Sequence, residues 1–308
     1  MRSSAGRAEW HLATGTARGR SHQVRGLPSQ DAVAHATIPA TGGTVVAVAD
    51  GHGHERHFRS GTGSALAVRA ACQVASDHAA ALAAAAAGHA GVIRDALPSA
   101  ILSAWRAEVA GDISKNPYTA EERSVLENDG DGPEVPYGST LLVALVTNGW
   151  LTCVQIGDGD LVAVHPDGAW DCPVPEDVTL DGLHTTSLCQ PTALDAFRVG
   201  MRDLAAQPLL ALLLASDGYG NAQAADPWQP QFALDMAGLA ASHDPAWFAQ
   251  QVPAWAELCA SGEGSGDDTT IALLLADHAS QPADEGAGEI TDEPAARLRA
   301  GRQATWTG

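Results

Sequence analysis

Nowhere does the sequence hold an uninterrupted apolar run approaching the roughly 18 residues of a membrane-spanning helix. Its start, Met1-Arg2-Ser3-Ser4, is not followed by the apolar core of a secretion signal. A cytoplasmic protein with no membrane partner is therefore expected. Cysteine is sparse and scattered: Cys72, Cys153, Cys172, Cys189 and Cys259 are odd in number and show no short paired spacing. That argues against a disulfide framework or a zinc knuckle. Bases are scarce too, seventeen Lys and Arg against thirty-seven Asp and Glu, and the formal charge of −20 would repel nucleic acid. What is plentiful is apolar residues, 45% of 308, enough for a substantial core in one large domain or two.

The most informative stretch is Thr44-Val-Val-Ala-Val-Ala-Asp50-Gly51-His52-Gly53. A short run of small and β-branched apolar residues between glycines has the length and flanks of a buried strand, which here delivers Asp50 to the point where the chain turns. Gly51 and Gly53 permit close approaches that a side chain would block, so a backbone carbonyl there can face a ligand. A carboxylate beside a carbonyl suits a hard cation such as Mg²⁺ or Mn²⁺. An ordinary Asp-Gly turn is the alternative.

In chain order, Trp10 to Arg18 and Ala32 to Ile38 are loosely strand-like, and Ser21 to Asp31 between them reads as a turn-rich loop. The alanine-rich segment from about Ser60 to Ala87 predicts a helix, and a second is expected after Pro98, with Ile101, Leu102, Trp105 and Val109 on one face. Polar residues Gly111 to Pro136 read as a mobile connection. Strands are expected over Thr140 to Val146 and Trp150 to Ile156, joined by the hairpin signal Asn148-Gly149. Asp160 to His165 pairs with a strand near Trp170, a less regular stretch follows, and Pro208 to Ala215 is another apolar run. Pro227 to Cys259 is largely helical, and Thr269 to Ala276 is the last strand. Beyond His278 there is almost no large apolar residue, which predicts a disordered tail. The expected organisation is a domain over 1–279 and an acidic tail over 280–308.

Asp50, Asp158 and Asp217 each end an apolar run and precede glycine, and Asp267 lies just before a strand. Strand ends gathered at one edge of a sheet would bring these carboxylates together, and divalent cations would relieve their repulsion. Two such cations about 3.5–4 Å apart make a hydrolytic centre. Four unrelated turn acids are the competing explanation.

The order and spacing of Ser29-Gln30-Asp31, Asp50-Gly51-His52-Gly53, Gly138-Ser139-Thr140, Ile156-Gly157-Asp158, Ser216-Asp217-Gly218 and Asp267-Asp268-x-Thr270 resemble those of the metal-dependent serine/threonine protein phosphatases of type 2C, over roughly residues 10 to 277. The resemblance implies an α+β fold, a β-sandwich of two antiparallel sheets flanked by helices, and a centre holding two Mn²⁺ or Mg²⁺ ions with room for a third. It implies that Asp50 bridges both metals, that the Gly51 carbonyl binds the second, and that Asp217 and Asp267 complete the first. Asp31 would support the centre, Asp158 would hold the third, weaker metal, and His52 would be the general acid. Arg25 and His22 are the candidate phosphate contacts, because the family's arginine, five residues before the aspartate matched by Asp31, falls here on Gly26. Two further departures are Gly159-Asp160, where the family usually has Ser-Arg, and Asp268, where asparagine is frequent.

Three rival readings concern the same residues. His52, His54, His57 and Glu55 invite zinc, but their spacing matches no closed site. Cys153 lies in a predicted strand as a small hydrophobe, and Ser139 and Ser216 lack a nucleophile elbow. The expected activity is hydrolysis of phosphoserine and phosphothreonine on protein substrates by a monomer. A catalytically silent domain that docks phosphorylated partners, or a phosphatase for small esters, are the alternatives.

Overall fold

The structure is a computed structural model that describes residues 9–38, 41–86, 90–129, 132–177 and 185–277. The predicted tail over 280–308 lies outside the described residues. The chain forms two compact units. One is built from the described parts of Met1–Leu27, Asp160–Pro173 and Arg202–Gly308, the other from Pro28–Gly159 and Val174–Met201.

The first unit carries an antiparallel sheet in the order β1 (Trp10–Ala17), β10 (Thr269–Ala276), β9 (Ala211–Ala215), β6 (Asp160–Val164) and β7 (Trp170–Asp171). Its helices are α1 (Arg20–Arg25), α6 (Asp217–Gly220), α7 (Gln229–Ser242) and α8 (Pro245–Ala260). Helix α8 starts where the Asp244 carboxylate accepts from the Trp247 amide and Pro245 fills the first turn. Its Phe248, Val252, Trp255 and Cys259 pack with Ala13 of β1 and with Ile271, Leu273 and Leu275 of β10 in one core.

The second unit carries β2 (Ala32–Ile38), β3 (Gly43–Ala49), β4 (Leu141–Thr147), β5 (Trp150–Ile156) and β8 (Arg198–Asp203), antiparallel and neighbours in that order, with α2 (Ser60–Ala86), α3 (Ala90–Lys115), α4 (Ala120–Asp129) and α5 (Ala193–Ala196). Leu141, Val143 and Leu145 join a core with Leu66, Ala67 and Ala71 of α2 and Ile101 and Trp105 of α3. Leu142, Ala144 and Val146, on the opposite face of β4, are buried as well. Burial on both faces is why this strand reads as a continuous apolar run instead of an alternation. Each Leu or Val side chain so removed from water contributes roughly 1.5–3 kcal/mol. The Asn148-Gly149 hairpin is as predicted, with φ of 51° and 80° at the two positions, the left-handed pair that a type I′ turn demands.

Four expectations are corrected. The loop from Ser21 to Asp31 contains α1, closed at its C-terminus by Gly26 with φ of 69°. The second long helix begins at Ala90, and Pro98 lies inside it. Residues Gly111 to Pro136, read as a mobile connection, hold the end of α3, α4 and a 3₁₀ turn at Val135–Tyr137. The irregular stretch before Pro208 contains β8.

Candidate functional site

In the second unit, register decides which residues share a sheet end. Ala32 pairs with Ala49, Val48 with Leu142, and Leu141 with Ile156. The start of β2, the end of β3, the start of β4 and the end of β5 therefore lie side by side, which brings Asp31, Asp50, Ser139-Thr140 and Gly157-Asp158 to one end of this sheet. Thr140 fastens the turn after β3 from both sides: its amide donates to the Asp50 carbonyl at 2.8 Å, and its hydroxyl accepts from the Asp50 amide at 3.1 Å. Gly51 donates to the Gln30 carbonyl at 3.1 Å, and a Cβ on Gly51 would stand 2.7 Å from that oxygen and 2.8 Å from the Ser60 carbonyl. Only glycine fits there. Ser60 Oγ and Ser139 Oγ, both close to this turn, are buried with no hydrogen-bond partner among the described residues.

His52 follows, its amide donating to the Gly138 carbonyl at 3.1 Å and its ring lying edge-on to His57 at 4.9 Å. Burial, with His57 and Arg56 adding like charge, lowers its pKa to about 4. The imidazole is therefore neutral at physiological pH. His57 Nδ1 contacts the Val135 carbonyl at 2.5 Å and so carries its proton there. Among the described residues no three His, Cys, Asp or Glu side chains converge closely enough to hold a metal ion.

The first unit repeats the device. Ile271 pairs with Ala215, Ala17 with Thr269, and Asp160 with Ala215, so the end of β9, the starts of β10 and β6 and the end of β1 coincide. Here the Thr270 backbone and the Ser216 hydroxyl do the fastening: the Thr270 amide donates to Ser216 Oγ at 2.9 Å, and its carbonyl accepts from the Ser216 amide at 3.0 Å. This fixes Asp217 and the Asp267-Asp268 turn on neighbouring strand ends. Asp217 accepts from Asn221 Nδ2 at 3.1 Å. Gly218 is required by close approach, since a Cβ there would run into the Asp268 carbonyl. Asp267 is exposed and Asp268 is buried. The strand-end acids thus belong to two sheets, not to one edge of a single sheet.

His22 and Asp268 reveal a contact the sequence did not announce. His22 Nδ1 lies 2.8 Å from Asp268 Oδ2, and the Gly19 amide donates to Asp268 Oδ1 at 2.6 Å. Both residues are almost fully enclosed, His22 at 4% exposure and Asp268 at 3%. His22, a candidate phosphate contact, is thereby engaged in tying α1 to the loop before β10, whereas Arg25 in the last turn of α1 is exposed. The only signal for this pairing is the acid at 268 where an asparagine was expected.

The donor chemistry fits hard cations: carboxylates and a glycine carbonyl, with buried hydroxyls beside the Gly51 turn. A family model for protein phosphatase 2C matches residues 18–254, more than three quarters of the sequence.

The chain belongs to the protein phosphatase 2C family.

The match stops short of the Asp267-Asp268 turn, which belongs to β10's approach. No curated protein matches the sequence. Among solved structures, a bacterial serine phosphatase superposes with a TM-score of 0.57 at 12% identity, covering 89% of this chain and 100% of its own. The Mycobacterium tuberculosis serine/threonine phosphatase PstP gives 0.53 at 18% identity, with 87% and 99% covered. PppA, a regulatory component of the type VI secretion system in Pseudomonas aeruginosa, gives 0.51 at 18%, with 87% and 97% covered. At these identities the likeness shows the fold, two antiparallel five-stranded sheets with flanking helices. Family membership makes the chain a metal-dependent protein phosphatase. Among the described residues no helix is long and apolar enough to cross a membrane.

Proposed function

We propose that this type 2C phosphatase hydrolyses phosphoserine and phosphothreonine monoesters on proteins, as a cytoplasmic monomer, with two Mn²⁺ or Mg²⁺ ions and a weaker third. The observation that carries the residue assignment is the register: in each sheet the family's motif acids fall at one strand-end row, locked by Thr140 in one and Thr270 in the other. When bound, a pair of hard cations acidifies water and withdraws charge from the phosphoryl group. Asp50 would bridge the pair, the Gly51 carbonyl would bind the second ion, and Asp217 and Asp267 would complete the first. Asp31 would support the set directly or through water, and Asp158 would hold the third ion. Arg25, exposed on α1, would meet the phosphate. His52 would face the leaving alkoxide as general acid, a role that requires a proton its buried surroundings disfavour.

The test is phosphate release from a phosphothreonine peptide with Mn²⁺, beside calorimetric Mn²⁺ titration of the same protein. Metal-dependent release supports the reading, and a folded, metal-loaded protein that releases none overturns it. The silent docking domain stays in view because of Gly26: its φ of 69° disfavours an arginine at that place by about 1–2 kcal/mol. Peptide and metal binding without turnover would select that second reading.

A further inference from the structure

The turn that carries Asp158 is held by more side chains than a turn needs. The Gly157 carbonyl accepts from Arg198 Nη2 at 2.8 Å and from Gln155 Nε2 at 3.3 Å. The same Gln155 amide donates to the Gly159 carbonyl at 2.6 Å, and the Gly157 amide donates to Thr186 Oγ1 at 2.8 Å. Gly157 itself has φ of 97°, and a Cβ there would run into Thr140. By contrast, the turn at Pro166-Asp167-Gly168 is closed by its own backbone and by the Asp167 carboxylate, which accepts from the Ala169 amide.

Arg198, at the start of β8, is the costly member. Its side chain is only 13% exposed; Nη1 also reaches the Pro175 carbonyl at 3.3 Å, and Nε lies 3.8 Å from Asp177 Oδ2. Enclosing a guanidinium is unfavourable unless its hydrogens find acceptors. Two of its donors go to backbone carbonyls, one of them directly before Asp158, which is itself exposed. The two residues after Asp158 are Gly159 and Asp160, so no arginine adjoins the turn in sequence.

We propose that Arg198 is a positioning residue for Asp158: its guanidinium, with Gln155 and Thr186, holds the Gly157–Gly159 turn so that the Asp158 carboxylate is presented to the weakest metal. This rests on the assignment of Asp158 to that metal. Groups that orient a metal ligand typically govern its affinity by 10–100-fold.

The experiment compares wild type, Arg198→Met, Arg198→Lys, Asp158→Asn and the Asp158→Asn/Arg198→Met double variant. The readouts are Mn²⁺ calorimetry, amide hydrogen exchange at Gly157, Asp158 and Gly159 in metal-free protein, and a denaturant midpoint for folding. Arg198→Met is expected to weaken the loosest Mn²⁺ site about tenfold, leave the tighter sites unchanged, and speed exchange of the three amides. Arg198→Lys should recover part of both effects, and it carries the measurement if the methionine variant does not fold. The double variant should bind Mn²⁺ no worse than Asp158→Asn alone. Unchanged weak-site affinity and exchange in both Arg198 variants, or losses that add in the double variant, would overturn the proposal. If Asp158→Asn itself matches the wild-type isotherm, the metal assignment of Asp158 fails and takes this coupling with it, an outcome distinct from failure at Arg198 alone.

Discussion

Two threonines fasten the strand ends that carry acids in this chain. Thr140 bonds the Asp50 backbone on both sides, and Thr270 bonds Ser216, the residue before Asp217, so each holds the strand end that carries one of these acids. Replacing Asp217 by Asn keeps the shape and the Asn221 contact but removes a charge from the oxygen set. Turnover is expected to fall to background with the denaturant midpoint held near wild type, and near-wild-type turnover would remove Asp217 from the metal site. Gly218→Ala should behave differently, because its Cβ meets backbone that cannot swing aside. A loss of about 1–3 kcal/mol in urea unfolding is expected together with lost activity. At Asp268 the order of severity is informative. Asp268→Ala strips both the Gly19 amide and His22 of a buried partner and should cost about 3 kcal/mol or more, while Asp268→Asn retains an acceptor and should cost clearly less. Equal losses would show that the His22 pair contributes nothing.

Elements divide by how much of their cause is local. The strands β3, β4, β5, β9 and β10 and the helix α2 were legible because both faces of the strands are buried and alanine dominates the helix. Helices α1 and α4 and strand β8 were not, since Arg20–Arg25, Ala120–Asp129 and Arg198–Asp203 carry no strong apolar period and take shape from distant partners. Helix α4 shows the mechanism. Arg59, at the entry to α2, makes a two-pronged bond to Glu122 at 3.1 and 2.8 Å, donates to the Tyr137 hydroxyl at 2.8 Å and to the Asn116 carbonyl at 2.7 Å, and lies 4.4 Å over the Tyr118 ring. Tyr137 in turn donates to Asp112 at 2.6 Å. Arg59 lies 63 residues from Glu122 and 78 from Tyr137, so no short window of sequence contains the knot. The hydrogen bond from Arg59 holds Glu122 below the ordinary carboxylate range, and that from Tyr137 does the same for Asp112. Carboxylates depressed in the folded state stabilise it fully above their unfolded pKa of about 4, and the contribution vanishes as pH falls through the folded value. The stability gap between wild type and Arg59→Met is therefore expected to be widest above about pH 5 and to narrow toward pH 3. A gap independent of pH would mean that Arg59 acts through packing on Tyr118 alone.

At the scale of the molecule, the same legibility argument applies to the site. Asp31, Asp50, Asp158, Asp217 and Asp267 could be picked out as acids at turns, but that they divide between two sheets follows from strand order, which no linear pattern encodes. The charge of −20 was legible from composition, and it leads to a prediction about substrate choice. A phosphorylated peptide is itself anionic, so the protein's field opposes its approach unless flanking cations reverse the sign. At low ionic strength, where the screening length is about 30 Å at 0.01 M, kcat/KM for a phosphothreonine peptide flanked by arginines should exceed that for the same peptide flanked by glutamates. Raising salt to about 0.15 M shortens the range to about 8 Å, which should lower the first value, raise the second and bring them together. The comparison is made at saturating Mn²⁺ so that metal affinity, which salt also weakens, does not enter. A preference unaffected by salt would place the discrimination in short-range contacts and would deprive the overall acidity of any part in selecting substrates.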